Sequence, residues 1–250
     1  MGMLHALSVD NEGTLSFKQS QPVSGIVKKH NPALHSVSCN EFSSAVLCAS
    51  NDGLWVVDGE SMEITNACSF KKQSSVTSAK FSAYNTVITS DILGRLRTWD
   101  TRTLDRNLQY VASSSMTSSI QASSMELMIT AIASHPRRPH LIAVGLEEGS
   151  ICLWDARKSE QKLWQGQFHD RCAVNSLSFD GGSEHVSFFS AASDGLLVKW
   201  MPSLEPNSWI PFVMLQRNAA LSCVGYNFDH SLCAVGDETS SVIVRSLSKA

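Results

Sequence analysis

Apolar and polar positions alternate in short runs along this chain, and the runs return in pairs around a glycine. Ala45-Val46-Leu47-Cys48-Ala49 precedes Gly53, and Leu54-Trp55-Val56-Val57 follows it; Leu141-Ile142-Ala143-Val144 precedes Gly149, and Ile151-Cys152-Leu153-Trp154 follows it. A period of two reads as β-strand, and a glycine between two such runs supplies the positive φ that a tight reversal requires, so each pair predicts a β-hairpin. The hairpin signal recurs every ~40 to 55 residues, the period of a repeat architecture. It appears at Asn11–Phe17, Asn51–Val57, Leu93–Asp100, Glu148–Asp155 and Ser193–Trp200, and in degenerate form at Ser240–Arg245.

A further strand lies upstream in each unit, for example Val76–Phe81 and Val174–Phe179, and a fourth follows in some, as at Trp209–Val213. Four short antiparallel strands per repeat describe a propeller blade, which predicts an all-β fold of about six recognisable blades of seven. Residues 1–250 form a single domain on this reading, with Ser113–Ser124 (SSSMTSSIQASS) as a flexible Ser-rich loop between blades. The first unit starts at its second strand, Met3–Val9, and the last ends at its third, Val242–Leu247. The count therefore leaves the ring incomplete at the N-terminus, with a blade's worth of sequence expected ahead of Met1 or a partner supplying strands.

Composition narrows the function classes. A net charge of -3 with 17% charged residues offers no electrostatic excess for a phosphate backbone or an anionic membrane, so direct nucleic-acid binding is not expected. No apolar run reaches the ~20 residues of a membrane span, and membrane insertion is not expected either. The seven cysteines are spread singly without a C-x-x-C pair, which reads as small hydrophobes in a reducing compartment, cytoplasm or nucleus. His135 and His140 bracket Pro136-Arg137-Arg138-Pro139 with no acidic or cysteine neighbour at ligand spacing, so no metal is expected, and no glycine-rich phosphate loop calls for a cofactor.

The stretches Gly94–Asp100 and Gly149–Asp155 resemble the glycine-to-Trp-Asp signature of the WD-repeat family, although only Trp99 and Trp154 are followed by Asp and no Gly-His dipeptide occurs. The resemblance implies a propeller and a binding scaffold rather than an enzyme. It also implies that His169, Ser190, Asp194 and Trp200 form the family's buried structural tetrad. A Ser, His, Asp catalytic triad is the other reading of three of these residues. Such a triad needs an exposed nucleophile beside an oxyanion hole, whereas Ser190 falls inside the β-run Phe188–Ala192, so the structural role is preferred and no catalytic residue is assigned.

Two consecutive blades end in W-D-x-R, at Trp99–Arg102 and Trp154–Arg157. In WD-repeat adaptors of cullin-type ubiquitin ligases such arginines face the linker subunit, which makes Arg102 and Arg157 candidate partner contacts. The plainer reading is that arginine suits an exposed turn. From Ser90 onward the order of blades is similar to that of a small propeller nucleoporin in the outer-ring Y-complex of the nuclear pore. The resemblance rests on Gly94–Arg102, His135-Pro136 with His140 ahead of Gly149–Arg157, Ser193–Trp200 and the Trp-poor Leu221–Leu247. It implies a scaffold in mRNA export and protein import, a kinetochore role in mitosis, and the other Y-complex nucleoporins as partners, above all the helical short-arm scaffold subunit.

Overall fold

The computed structural model describes residues 3–9, 15–22, 34–40, 43–50, 53–69, 76–103, 116–121, 127–157, 162–181, 186–202 and 208–247. Among the described residues all regular elements are strands apart from a short 3-10 turn, Thr101–Thr103. They form five blade sheets and one separate hairpin. The hairpin pairs β1 (Met3–Val9) with β2 (Leu15–Pro22). Blade one holds β3 (Leu34–Cys39), β4 (Ala45–Ser50), β5 (Gly53–Asp58) and β6 (Ile64–Ser69); blade two holds β7 (Val76–Ala83), β8 (Thr86–Asp91), β9 (Arg95–Asp100) and β10 (Met116–Gln121). Blade three holds β11 (Ile129–His135), β12 (Arg138–Leu146), β13 (Ser150–Asp155) and β14 (Lys162–Gln167); blade four holds β15 (Val174–Phe179), β16 (Phe188–Ala192), β17 (Leu196–Pro202) and β18 (Trp209–Gln216). Blade five has three strands, β19 (Leu221–Asn227), β20 (Leu232–Asp237) and β21 (Val242–Ser246).

The all-β propeller expectation holds, and the blade count does not: five blades stand among the described residues where about six of seven were expected. Counting glycine turns counts hairpins, and a hairpin supplies two strands of a blade. Among the described residues the first hairpin is a two-stranded sheet with no further strand paired to it, so it does not count as a blade. Its turn residues Asn11 to Gly13, like Asn51 and Asp52, lie outside the described residues. The Ser-rich stretch is corrected too. Met116–Gln121 is the fourth strand of blade two, paired antiparallel to β9, while residues 113–115 and 122–124 lie outside the described residues. Thr117 and Ile120 are β-formers, and the unpaired edge of β9 offers backbone groups that need partners.

Blades stack face to face, which explains why the middle strands are apolar on both sides. Between blades one and two, Leu47, Ala49, Leu54 and Val56 meet Val76, Ala79, Val87 and Trp99. Between three and four, Ala143, Ile151 and Leu153 meet Val174, Leu177, Phe188 and Trp200, with the Phe188 and Trp200 rings stacked at 6.0 Å. A side chain sealed between two blades loses its water on both faces, worth about 1.5–3 kcal/mol for each large aliphatic or aromatic group. All five inner strands carry the same irregularity after their first residue: Leu34/Ser36, Val76/Ser78, Ile129/Ala131, Val174/Ser176 and Leu221/Cys223. That shared bulge fixes the blades in register and aims hydroxyls sideways. Ser36 Oγ donates to Ala79 O and accepts from Ala79 N–H, and Ser176 Oγ accepts from Val224 N–H, stitching β3 to β7 and β15 to β19.

Three of the hairpin glycines take the positive φ their pattern predicts, while Gly53 is the first residue of β5, paired with Ser50. Gly94, Gly149 and Gly195 take φ of 71°, 91° and 78°. Blade five has no glycine there, and Ser240 takes their place at φ 63°. A non-glycine residue in the left-handed region costs about 1–2 kcal/mol, of which a glycine returns part to chain entropy. Ser240→Gly is therefore expected to stabilise the protein by about 0.5–1 kcal/mol, read as a higher urea midpoint at unchanged slope.

Candidate functional site

The four residues singled out in blade four are brought together. His169 stands in the loop between β14 and β15, Ser190 on β16, Asp194 in the β16–β17 turn and Trp200 on β17. His169 Nδ1 lies 2.8 Å from Asp194 Oδ2, His169 Nε2 lies 2.8 Å from Ser190 Oγ, and Trp200 Nε1 donates to Ser190 Oγ at 2.9 Å. The proton circuit closes in one way that leaves no group unsatisfied: the indole donates to Ser190, the Ser190 hydroxyl donates to Nε2, and Nδ1–H donates to the carboxylate. Asp194 Oδ1 accepts the Leu196 N–H, which holds the turn. His169 and Ser190 are both 0% exposed. Sealed in this way, with its oxygen already engaged by an indole, Ser190 offers no surface to a substrate carbonyl. The geometry is that of a tie between the loop entering the blade and the hairpin inside it.

The same tie recurs in altered form. In blade two, Thr89 stands ten residues before Trp99, as Ser190 does before Trp200, and accepts the Trp99 indole N–H at 2.8 Å. Asp91 is buried there and takes Arg95 at 2.8 Å and Arg97 at 3.2 Å. In blade five an arginine replaces the histidine: Arg217, in the loop before β19, reaches Asp237 at 3.0 Å. The Thr239 hydroxyl, ahead of backbone N–H groups and Arg217, holds the Asp237 carboxyl at about 2. Sequence reading found neither of these variants, although the ten-residue spacing to Trp99 was there to be read.

Blade three lacks the tie. Val144 holds the position of Ser190 and Thr89, and the buried Trp154 Nε1 has no partner. Val144→Thr places a hydroxyl of nearly the same volume within reach of that indole. The new bond is worth about 1 kcal/mol against the cost of burying the hydroxyl, so a net gain of about 0.5 kcal/mol is expected in chemical denaturation.

Arg102 and Arg157 are held alike. Arg102 Nη2 lies 2.6 Å from Asp100 Oδ2 and its backbone N–H donates to Asp100 Oδ1 at 3.0 Å; Arg157 repeats both distances on Asp155. The Arg157 side-chain hydrogen bond keeps the Asp155 carboxyl at about 2. The arginine side chains are 71% and 66% exposed. Each follows the third strand of its blade: in blade two Thr101 N–H donates to Asn85 O, in the loop between the first two strands, and in blade three Ala156 N–H donates to His140 O, near the start of β12. Two forks are thus fixed in the same pose at one end of the propeller. His135, by contrast, is fully buried, and its Nδ1 accepts the Arg137 and Arg138 N–H groups. Burial, with Arg138 nearby, pulls its imidazole below the usual value.

The inner strands surround a channel of about 740 Å³ to which Asn40, Lys80, Arg137, Asp180 and Asn227 contribute, one from each blade. Among the described residues no group of three or more His, Cys, Asp or Glu is spaced to hold a metal ion.

A family model described as nucleolar protein 10-like, N-terminal domain, a β-propeller, matches residues 33–244. No curated protein matches the chain. Among solved structures, a chain in the crystal structure of the mitotic checkpoint complex is similar at a TM-score of 0.72 and 12% identity, covering 99% of this chain and 69% of that one. At that identity the likeness speaks for the fold.

Proposed function

Because the chain belongs to the family of the nucleolar protein 10-like N-terminal β-propeller domain, we propose that it is a non-enzymatic protein-interaction scaffold; from the order of its altered blades we further propose that it is a subunit of the outer-ring Y-complex of the nuclear pore. In that assembly it supports mRNA export and protein import, with a kinetochore role in mitosis, and docks on the other Y-complex nucleoporins, foremost the helical short-arm subunit. The observation that carries the pore assignment is the order of altered blades. A Thr-supported Trp blade is followed by a Trp blade without its hydroxyl, then by the full His169 tetrad, then by a Trp-free blade tied by Arg217 and Asp237. The physics suits a scaffold: blades tied at their turns present a preorganised surface, so little ordering entropy is lost on docking. A fluorescently tagged chain is expected to mark the nuclear rim in interphase and kinetochores in mitosis. Accumulation in the nucleolus with an unmarked rim would overturn the pore assignment and leave the scaffold reading.

The two identically held arginines favour a second reading, a substrate receptor of a cullin-type ubiquitin ligase. On that reading Arg102→Ala with Arg157→Ala abolishes co-purification of the ligase linker. On the pore reading the double variant retains its nucleoporin partners and melts close to the unsubstituted chain, since both arginine side chains are solvent-exposed.

A further inference from the structure

The mouth of the channel is built from the last residues of β3, β7, β11, β15 and β19 and from the turns that follow them. Positive charge is unevenly matched at this end of the propeller. Arg102 and Arg157 are each neutralised by their own aspartate. Lys80 and Arg137 line the mouth from the adjacent blades two and three, and neither has a carboxylate partner among the described residues. Lys80 is half-buried in the wall, and burial pulls its ammonium below the ordinary lysine value. The Arg137 guanidinium lies 5.0 Å from the centre of the Phe228 ring, so a contact with blade five fixes its reach while the residue stays exposed.

Two carboxylates share the mouth without answering these cations. Asp180 takes the Ser187 hydroxyl and Lys199 at 3.9 Å, and Asp229 is exposed at the rim. A partly desolvated ammonium with no counter-charge costs stability until an anion arrives, and a guanidinium held on an aromatic face loses little freedom in meeting one. Blade two packs against blade one and blade three against blade four, with a third core between them, so neighbours on both sides set this arrangement.

We propose that the channel mouth between blades two and three binds an acidic segment of a partner protein, one carboxylate on Lys80 and another on Arg137. The channel's 740 Å³ falls in the roughly 300–1,000 Å³ of ordinary ligand sites, yet Arg137, Asn227 and Asp229 leave its mouth open to water. A small free anion is screened and lost there, whereas a chain bearing several carboxylates keeps the second close once the first has docked. The unbroken run of phosphates in a nucleic acid meets Asp180 and Asp229 and is repelled; a peptide spaces its charges and passes them by. The inference rests on the scaffold reading and adds the chemistry of its partner.

The probe is a fluorescein-labelled synthetic octaglutamate. Against the full chain it is expected to give a saturable anisotropy rise and to shield Lys80 from acetylation by an N-hydroxysuccinimide ester, read by peptide mass mapping. Lys80→Gln with Arg137→Gln is expected to bind at least tenfold more weakly. Arg171→Gln with Arg245→Gln removes two exposed cations elsewhere and is expected to bind unchanged. Should the first variant melt low, the shielding of Lys80 in the unsubstituted chain decides. No saturation up to about 1 mM peptide, equal weakening by both variants, Lys80 acetylated as fast with peptide as without, or tighter binding of a thymidine octanucleotide would overturn the proposal. Peptide binding at this mouth by a chain that recovers no outer-ring nucleoporins from cells sinks the pore assignment and keeps the acidic-segment site. Recovery of nucleoporins by a chain that the peptide does not bind does the reverse.

Discussion

Gly149→Ala is expected to destabilise the protein by about 3 kcal/mol, from about 1–2 kcal/mol of left-handed backbone strain and a comparable cost for moving a packed neighbour. A Cβ at Gly149 would sit 1.8 Å from the carbonyl oxygen of His169, at a φ of 91° that no L side chain adopts comfortably. That oxygen belongs to backbone, so relief requires the loop bearing His169 to shift, and the shift pulls the imidazole from Asp194 and Ser190. For a chain of this size the loss corresponds to a fall in melting temperature of roughly 6–12 °C. Thermal scanning reads it directly, and Ser240→Gly, the same turn position in blade five, is expected to move the other way. An unchanged midpoint for Gly149→Ala would mean that the turn of blade three does not bear on the loop.

His169→Ala carries the second large effect. It removes both hydrogen bonds of the imidazole, leaves the Asp194 carboxylate and the Ser190 hydroxyl short of a partner, and opens a cavity in a fully buried site. The expected loss is about 2–4 kcal/mol. Asp194→Ala combined with His169→Ala is expected to cost well under the sum of the two single changes, because the tie is already broken by either. Chemistry gives an independent check. If Ser190 were a nucleophile, a fluorophosphonate probe would label it; with its oxygen 0% exposed and bonded to Trp200, the folded protein is expected to stay unlabelled.

The hairpins were legible because their signal is local: a turn residue and flanking alternation, joined in three of them by a tryptophan five residues after the glycine, lie within one turn and two strands. The His169 tetrad was legible through the resemblance to the WD-repeat family, whose pattern places Ser190, Asp194 and Trp200 on one hairpin with the histidine ahead of it. Strand four of blade two was not. Met116–Gln121 has a polar, Ser-rich composition that reads as loop, and pairing with the free edge of β9 overrides it. The blade number was missed because inner and outer strands are recruited by tertiary packing, which the β1–β2 hairpin's sequence does not reveal. Arg217 opposite Asp237 escaped because an arginine twenty residues from its carboxylate carries no motif; only the fold shows that it stands where blade four keeps a histidine.

Affinity purification of this chain from its own cells, with partners identified by mass spectrometry, bears most directly on the pore assignment. Stoichiometric recovery of outer-ring nucleoporins, retained by the Arg102→Ala, Arg157→Ala variant, is the predicted result. Recovery of a cullin with its linker, or of nucleolar proteins alone, would contradict it.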